Sequence, residues 1–259
     1  MLDSQLAKLK EWFSLYITKY HSSNKEIAAA IDLKIHHTAL VCDNVKEILK
    51  ELDWPSSDAF TAEAAALLHD IGRLQQINNF GTFNDYKSID HGILGVQVLL
   101  EENALEFLSG QDQRVVLTAV RWHNKYAEPQ DLGEDESKVL KLVRDADKLD
   151  IMRLFTEYYP TADEHPLPFL EFGLKKSGEC SEQIAADILL NRMANIKNIE
   201  NITDLRIAKL SWLYDLNYQT SKRLFRERRY LEKTIEYLPE TPRIRKVVRH
   251  LQELLESIY

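Results

Sequence analysis

The chain has 259 residues, 44% of them apolar and 29% charged, with a formal net charge of −8. That composition describes a globular protein with a sizeable core. The negative balance argues against affinity for a nucleic-acid polymer or an anionic membrane surface, since both need an excess of Lys and Arg. Cys42 and Cys180 are too few and too far apart in sequence for a disulfide framework, so a cytoplasmic location is the default expectation. No signal peptide is found, and no apolar run is long enough to span a bilayer.

Glycine is absent before Gly72 and after Gly178, and no stretch sustains the alternation of a strand, so the expected fold is all-α. A first helix spans about 3–21, with Leu6, Leu9, Phe13, Tyr16 and Tyr20 on its apolar side. Ser22-Ser23-Asn24 breaks it and can cap a second helix running to about 52. Residues 53–57 connect to an alanine-rich helix, capped by Asp58 or Ser57, on which Ala59, Ala62, Ala66 and His69 share helical spacing. Gly72 suits the end of that helix. Residues 75–87 read as a loop long enough to be functional. Ser88 is the expected N-cap of a helix to about 109, and another follows to about 124. Glu134, Asp135 and Glu136 open a helix that stops before Pro160. Residues 180–259 read as helical and charged, interrupted near 198–201 and 239–242, with a stripe of Leu210, Leu213, Leu216, Leu224, Tyr230 and Leu231. The expected division is a domain at 1–160 and a helical appendage at 161–259 that packs on it or mediates a homodimer.

Several polar residues stand where these periodicities place core. His37 shares a stripe with Leu33, Val41, Val45 and Ile48; His91 heads one with Leu94, Gly95 and Val98. His123 follows Val116, Ala119 and Val120, and Asp147 interrupts Leu140, Val143, Ile151 and Leu154. A lone histidine on an apolar face is commonly a hydrogen-bonded core residue. A buried carboxylate, however, is costly unless it is paired or binds a metal. Four histidines together with Asp70 and Asp147, spread over five helices, point to a metal site rather than to separate coincidences.

The order His37, His69-Asp70, Asp147 resembles the HD-domain superfamily of metal-dependent phosphohydrolases. The local contexts are His37-Thr38-Ala39-Leu40-Val41, Leu68-His69-Asp70-Ile71-Gly72-Arg73 and Asp145-Ala146-Asp147-Lys148-Leu149-Asp150. The resemblance covers about 26–159 and implies an HD-type helical bundle, with the C-terminal appendage outside it. His36 is the alternative to His37, but only His37 shares the stripe with Val41 and Val45. His91-Gly92-Ile93-Leu94-Gly95 and Trp122-His123-Asn124 resemble the additional histidines of two-metal members. That pattern implies one ion held by His37, His69, Asp70 and Asp147, and a second held by Asp70, His91 and His123. The cyclic-dinucleotide branch, with its further histidine and Gly-Tyr-Pro motif, does not fit Asn124-Lys125-Tyr126.

Such a ligand set suits one or two divalent ions, Fe or Mn first, with Mg, Ni and Zn also admitted. The expected activity is hydrolysis of a small phosphate ester, a nucleotide in first place, by metal-activated water. Asp70, Arg73 and Lys148 are the expected catalytic groups, the two cations meeting phosphate charge. The alternatives are an HD-type di-iron oxygenase, which uses a similar ligand set, and a non-catalytic nucleotide-binding or interaction module. A nuclease finds little support in the charge.

Overall fold

The computed structural model describes residues 2–176 and 178–258. Among them the regular structure is helical and no strand forms, apart from an isolated bridge between Lys175 and Asn201. The chain falls into two compact units that divide between Asp150 and Ile151, inside a helix and ahead of the expected boundary at 160.

The first unit contains α1 (Leu2–Ile17), α2 (Lys25–Leu49), α3 (Ser56–Leu68), α4 (Ile71–Phe80), α5 (His91–Glu101), α6 (Gly110–Trp122) and the greater part of α7 (Glu134–Tyr158). Asn24 caps α2 as expected, its Oδ1 accepting from the amides of Glu26 and Ile27. Alanine explains the position of α3: Ala62, Ala64, Ala65 and Ala66 are fully buried, and their small side chains let α1, α2 and α6 pack closely around it. The remaining contacts join α2 to α4, α4 to α5 and α5 to α6. On α7, Val139, Leu140, Leu142, Val143, Ala146 and Leu149 are fully buried and lie on more than one face, the pattern of an enclosed helix. Asn44 on α2 donates to the Ala146 carbonyl at 3.0 Å.

Four local expectations need correction. Neither Asp58 nor Ser57 caps α3; Pro55 holds the N-cap position and no side-chain cap forms. Gly72 does not end a helix but lies in the first turn of α4, where a Cβ would meet the His91 carbonyl and, at 2.6 Å, the Gly95 nitrogen. Its lack of a side chain serves close helix packing instead of a turn. The helix then continues through the segment read as loop as far as Phe80, and Gly81 ends it at φ 65°. Asp90, not Ser88, caps α5 through the amides of Gly92 and Ile93.

The second unit takes up the end of α7, then α8 (Pro168–Glu171), α9 (Glu182–Leu189), α10 (Ile202–Leu210), α11 (Gln219–Glu227), α12 (Tyr230–Ile235) and α13 (Pro242–Ser257). Here α9 packs on α13 and α10, and α12 on α10 and α11. The expected stripe from Leu210 to Leu231 is buried. The helices are shorter than periodicity suggested, however, because Asn191 and Arg229 take left-handed conformations and add breaks. No helix among the described residues is long and apolar enough to cross a membrane. Cys42 and Cys180 are both free thiols.

Candidate metal centre

His69 and Asp70 occupy the junction of two helices. α3 ends at Leu68, Asp70 takes φ −102° and ψ 15°, and α4 begins at Ile71, so the pair sits where the backbone changes direction. Asp70 is the midpoint of the site. Its Oδ2 lies 3.5 Å from His37 Nε2 and 3.5 Å from His69 Nε2, while its Oδ1 lies 3.3 Å from His91 Nε2 and 3.5 Å from His123 Nε2. Asp147 joins the first pair, with Oδ1 3.1 Å from His37 Nε2 and 3.8 Å from His69 Nε2. Two overlapping groups result, His37–His69–Asp70 and Asp70–His91–His123, and within each the potential ligand atoms all lie within 4.8 Å of one another. His36 is exposed and away from this arrangement.

The far nitrogen of every ring fixes its tautomer. His69 Nδ1 faces the Ala66 carbonyl at 2.7 Å and His123 Nδ1 the Val120 carbonyl at 2.9 Å. His37 Nδ1 faces Asp150 Oδ2 at 2.6 Å, and His91 Nδ1 faces Asp85 Oδ2 at 2.7 Å. A carbonyl or carboxylate can only accept, so each Nδ1–H donates and, in the neutral ring, each Nε2 presents a lone pair. Those lone pairs face each other, 3.4 Å apart for His37 and His69 and 3.0 Å for His91 and His123. A cation between them is what this donor set fits, with each ring oriented as metal-bound imidazoles are.

The electrostatics of His69 and His91 agree. Burial lowers the pKa of both His69 and His91 from 6.5 to about 4, keeping the rings neutral. His37 is also pushed down by burial and Lys34, but hydrogen bonds to Asp147 and Asp150 outweigh both and its pKa is raised. Burial opposes ionisation of Asp70, yet Lys34, His69, His123 and Arg73 together hold it well below the ordinary carboxylate range. Asp147 is likewise lowered, against burial, by His37 and His69.

The segment 81–90 is fastened from beneath. Gln76, fully buried on α4, places Nε2 2.8 Å from Asp85 Oδ1, 2.9 Å from Ser88 Oγ and 2.8 Å from the Ile89 carbonyl. Arg73 Nη1 donates to Gln76 Oε1, the Phe83 carbonyl and Asp85. Asn124 donates to Asp85 and Asp90, and Lys125 pairs with Asp90. The segment is therefore a fixed wall that delivers Asp85 to His91.

Of the two expected phosphate cations, Arg73 spends Nη1 on this wall and keeps Nε, which is buried with no hydrogen-bond partner and 3.5 Å from Asp70 Oδ1. Lys148 is buried, with its ammonium 3.4 Å from the Arg144 carbonyl. Three residues that carry the site were missed. Lys34 sits one turn before His37 and reaches Asp70. Arg144 donates to the carbonyls of His123 and Lys125, fixing the end of α6. Asp85 gave no signal, because it holds His91 from an irregular segment. Asp150 is buried against His37.

A helical domain whose histidines and aspartates gather from separate helices around one shared carboxylate defines a metal-binding class of protein. The segment 35–152 matches the family model of the HD domain. HD domains bind divalent metals and belong to a superfamily of metal-dependent hydrolases. The chain matches no curated protein and no solved structure at the significance required of a match.

Proposed function

We propose that the protein is a metal-dependent phosphohydrolase of a small phosphate ester, a nucleotide in first place, working with a pair of divalent ions. The observation that carries this reading is the division of Asp70, one oxygen toward His37 and His69 and the other toward His91 and His123. His37, His69, Asp70 and Asp147 would hold one ion, and Asp70, His91 and His123 the other. Bound divalent ions lower the pKa of water and neutralise phosphoryl oxygens.

The chain's own residues have distinct tasks. Asp70, kept ionised, would supply an oxygen to each ion. Asp150 and Asp85 hold His37 and His91 in the tautomer that offers Nε2. Arg73 anchors the wall and leaves Nε beside Asp70 for charge that develops on the phosphoryl group. Lys148, buried and next in sequence to Asp147, would add positive charge. With four imidazoles to few carboxylates, the donor set favours Fe or Mn over Mg. The second unit is assigned a role in homodimerisation, which light scattering of the purified chain tests.

The same histidine-rich set supports a second reading, a di-iron oxygenase. One experiment separates the two: incubation with a panel of nucleotides and sugar phosphates plus Mn²⁺ or Fe²⁺, with and without O₂. Phosphate release that persists without O₂ and disappears in His69→Ala supports hydrolysis. Product formed only with O₂ supports oxygenation. Equilibrium binding with no turnover under either condition overturns both in favour of a binding module.

A further inference from the structure

The two oxygens of Asp70 differ in one respect beyond their histidines. Oδ2 carries an ammonium: Lys34 Nζ lies 2.5 Å away, and only 13% of the lysine side chain and 4% of the aspartate side chain are exposed. Its other described contact is the Phe83 ring, 5.6 Å from Nζ. Oδ1 has a guanidinium nearby instead, but Arg73 Nε stays at 3.5 Å and Nη1 of that group is committed to Gln76, Phe83 and Asp85. Arg73 is locked in place, whereas Lys34 is a flexible chain held at one end by a single ion pair.

An ammonium in contact with Asp70 Oδ2 opposes a divalent ion on the same oxygen between His37 and His69. Both cations would then lie within a few ångströms of one another, with little water between to screen their repulsion. Without any cation there, in contrast, Oδ2 of the buried Asp70 would lose its closest countercharge, since Arg73 lies on the Oδ1 side. One of the two cations belongs on Oδ2 at a time.

We propose that Lys34 is an internal stand-in for the ion on the His37–His69 side. Its ammonium neutralises Asp70 Oδ2 when no metal is there, keeping Asp70 ionised and in position. A divalent ion enters by displacing it, and the released side chain withdraws along the Phe83 ring. Metal affinity on this side is thus an exchange of one cation for another, and Lys34 weakens it. The inference rests on the metal-centre reading but not on phosphohydrolysis, and its test measures no turnover, so either can fail alone.

The test is calorimetric titration with Zn²⁺ of the full chain carrying His91→Ala and His123→Ala, which leaves the His37–His69 side alone. Adding Lys34→Met should tighten Zn²⁺ binding by about tenfold or more, because a competing positive charge a few ångströms away is removed. Lys34→Arg, which keeps the charge, should retain the weaker affinity. In the otherwise unaltered chain, labelled with ¹⁵N-lysine, the Lys34 ammonium should give a protected signal in metal-free protein that moves or is lost as Zn²⁺ saturates the site. Unchanged or weaker Zn²⁺ affinity in Lys34→Met, or an ammonium signal that does not respond to saturating Zn²⁺, overturns the proposal.

Discussion

On the Oδ2 side of Asp70, His37 and Asp147 project from the interiors of α2 and α7, and Asp150, which fixes His37, lies on the same helix as Asp147. On the Oδ1 side, His91 is the first residue of α5, His123 is the C-cap of α6, and Asp85, which fixes His91, belongs to the irregular segment. Apart from His69, the C-cap of α3, the Oδ2 half of the centre is built into long helices and fixed when they pack. The other is built at helix ends and depends on hydrogen bonds that hold a wall in place. The first half should tolerate perturbation of segment 81–90; the second should not.

The largest effect belongs to the residue both halves share. Asp70→Ala should empty both sides of metal and reduce turnover by on the order of 10³-fold, read by elemental analysis and steady-state kinetics. Retention of one ion per chain would show that the halves do not depend on a common bridge. Next come the paired substitutions Asp85→Asn and Asp150→Asn. Each should cost about 10–100-fold in metal affinity on its own side, the usual penalty for removing a group that orients a ligating histidine. Only Asp85→Asn should also expose segment 81–90 to limited proteolysis. Equal protease sensitivity in the two variants would remove the contrast.

Gly72→Ala should destabilise the fold by about 1–3 kcal/mol, the cost of overpacking. Calorimetry on that variant should find the Oδ1-side affinity reduced and the Oδ2-side affinity retained. The smallest effect concerns protons. His69 and His91 titrate near 4 in the native state against an ordinary 6.5, so between those values the unfolded chain binds protons that the native chain does not. Metal-free protein should therefore lose stability as pH falls through that window, by about 1.4 kcal/mol per pH unit for each extra proton on the unfolded chain. His37, raised in pKa, works in the opposite sense and offsets part of the loss. Urea unfolding at pH 7.5, 5.5 and 4.5 measures the balance; a midpoint that rises on acidification would contradict it.

The helical half was the more legible in sequence. His37, His69, Asp70 and Asp147 stand out because helical periodicity assigns them to buried faces, and a buried polar group among Val, Leu and Ile is conspicuous. His91 and His123 could be placed for the same reason. Their supports could not be read. Asp85 follows no periodicity, and Gln76 lies in a stretch that its polar composition disguised as loop although it continues α4 to Phe80. The role expected of Arg73 rested on its place beside His69-Asp70, while its main partners, Gln76 and Asp85, are set by how the wall folds back. In the second unit the apolar stripe was visible, but Arg229 breaks a helix through a left-handed conformation that its residue type does not announce, and Asn191, a type that adopts it more readily, was not read as a break.

Gly72 lets α4 and α5 approach until the backbone at His91 rests almost on its α-carbon, and Gly92 does the same for α5 against the end of α6, where a Cβ would lie 2.8 Å from the Arg121 carbonyl. The spacing of the backbones that carry Asp70, His91 and His123 is therefore set by how closely these helices pack. The centre behaves like a caliper whose jaws are helices: its opening is set when the chain folds, before any ion arrives, and a methyl group at either glycine would reset it.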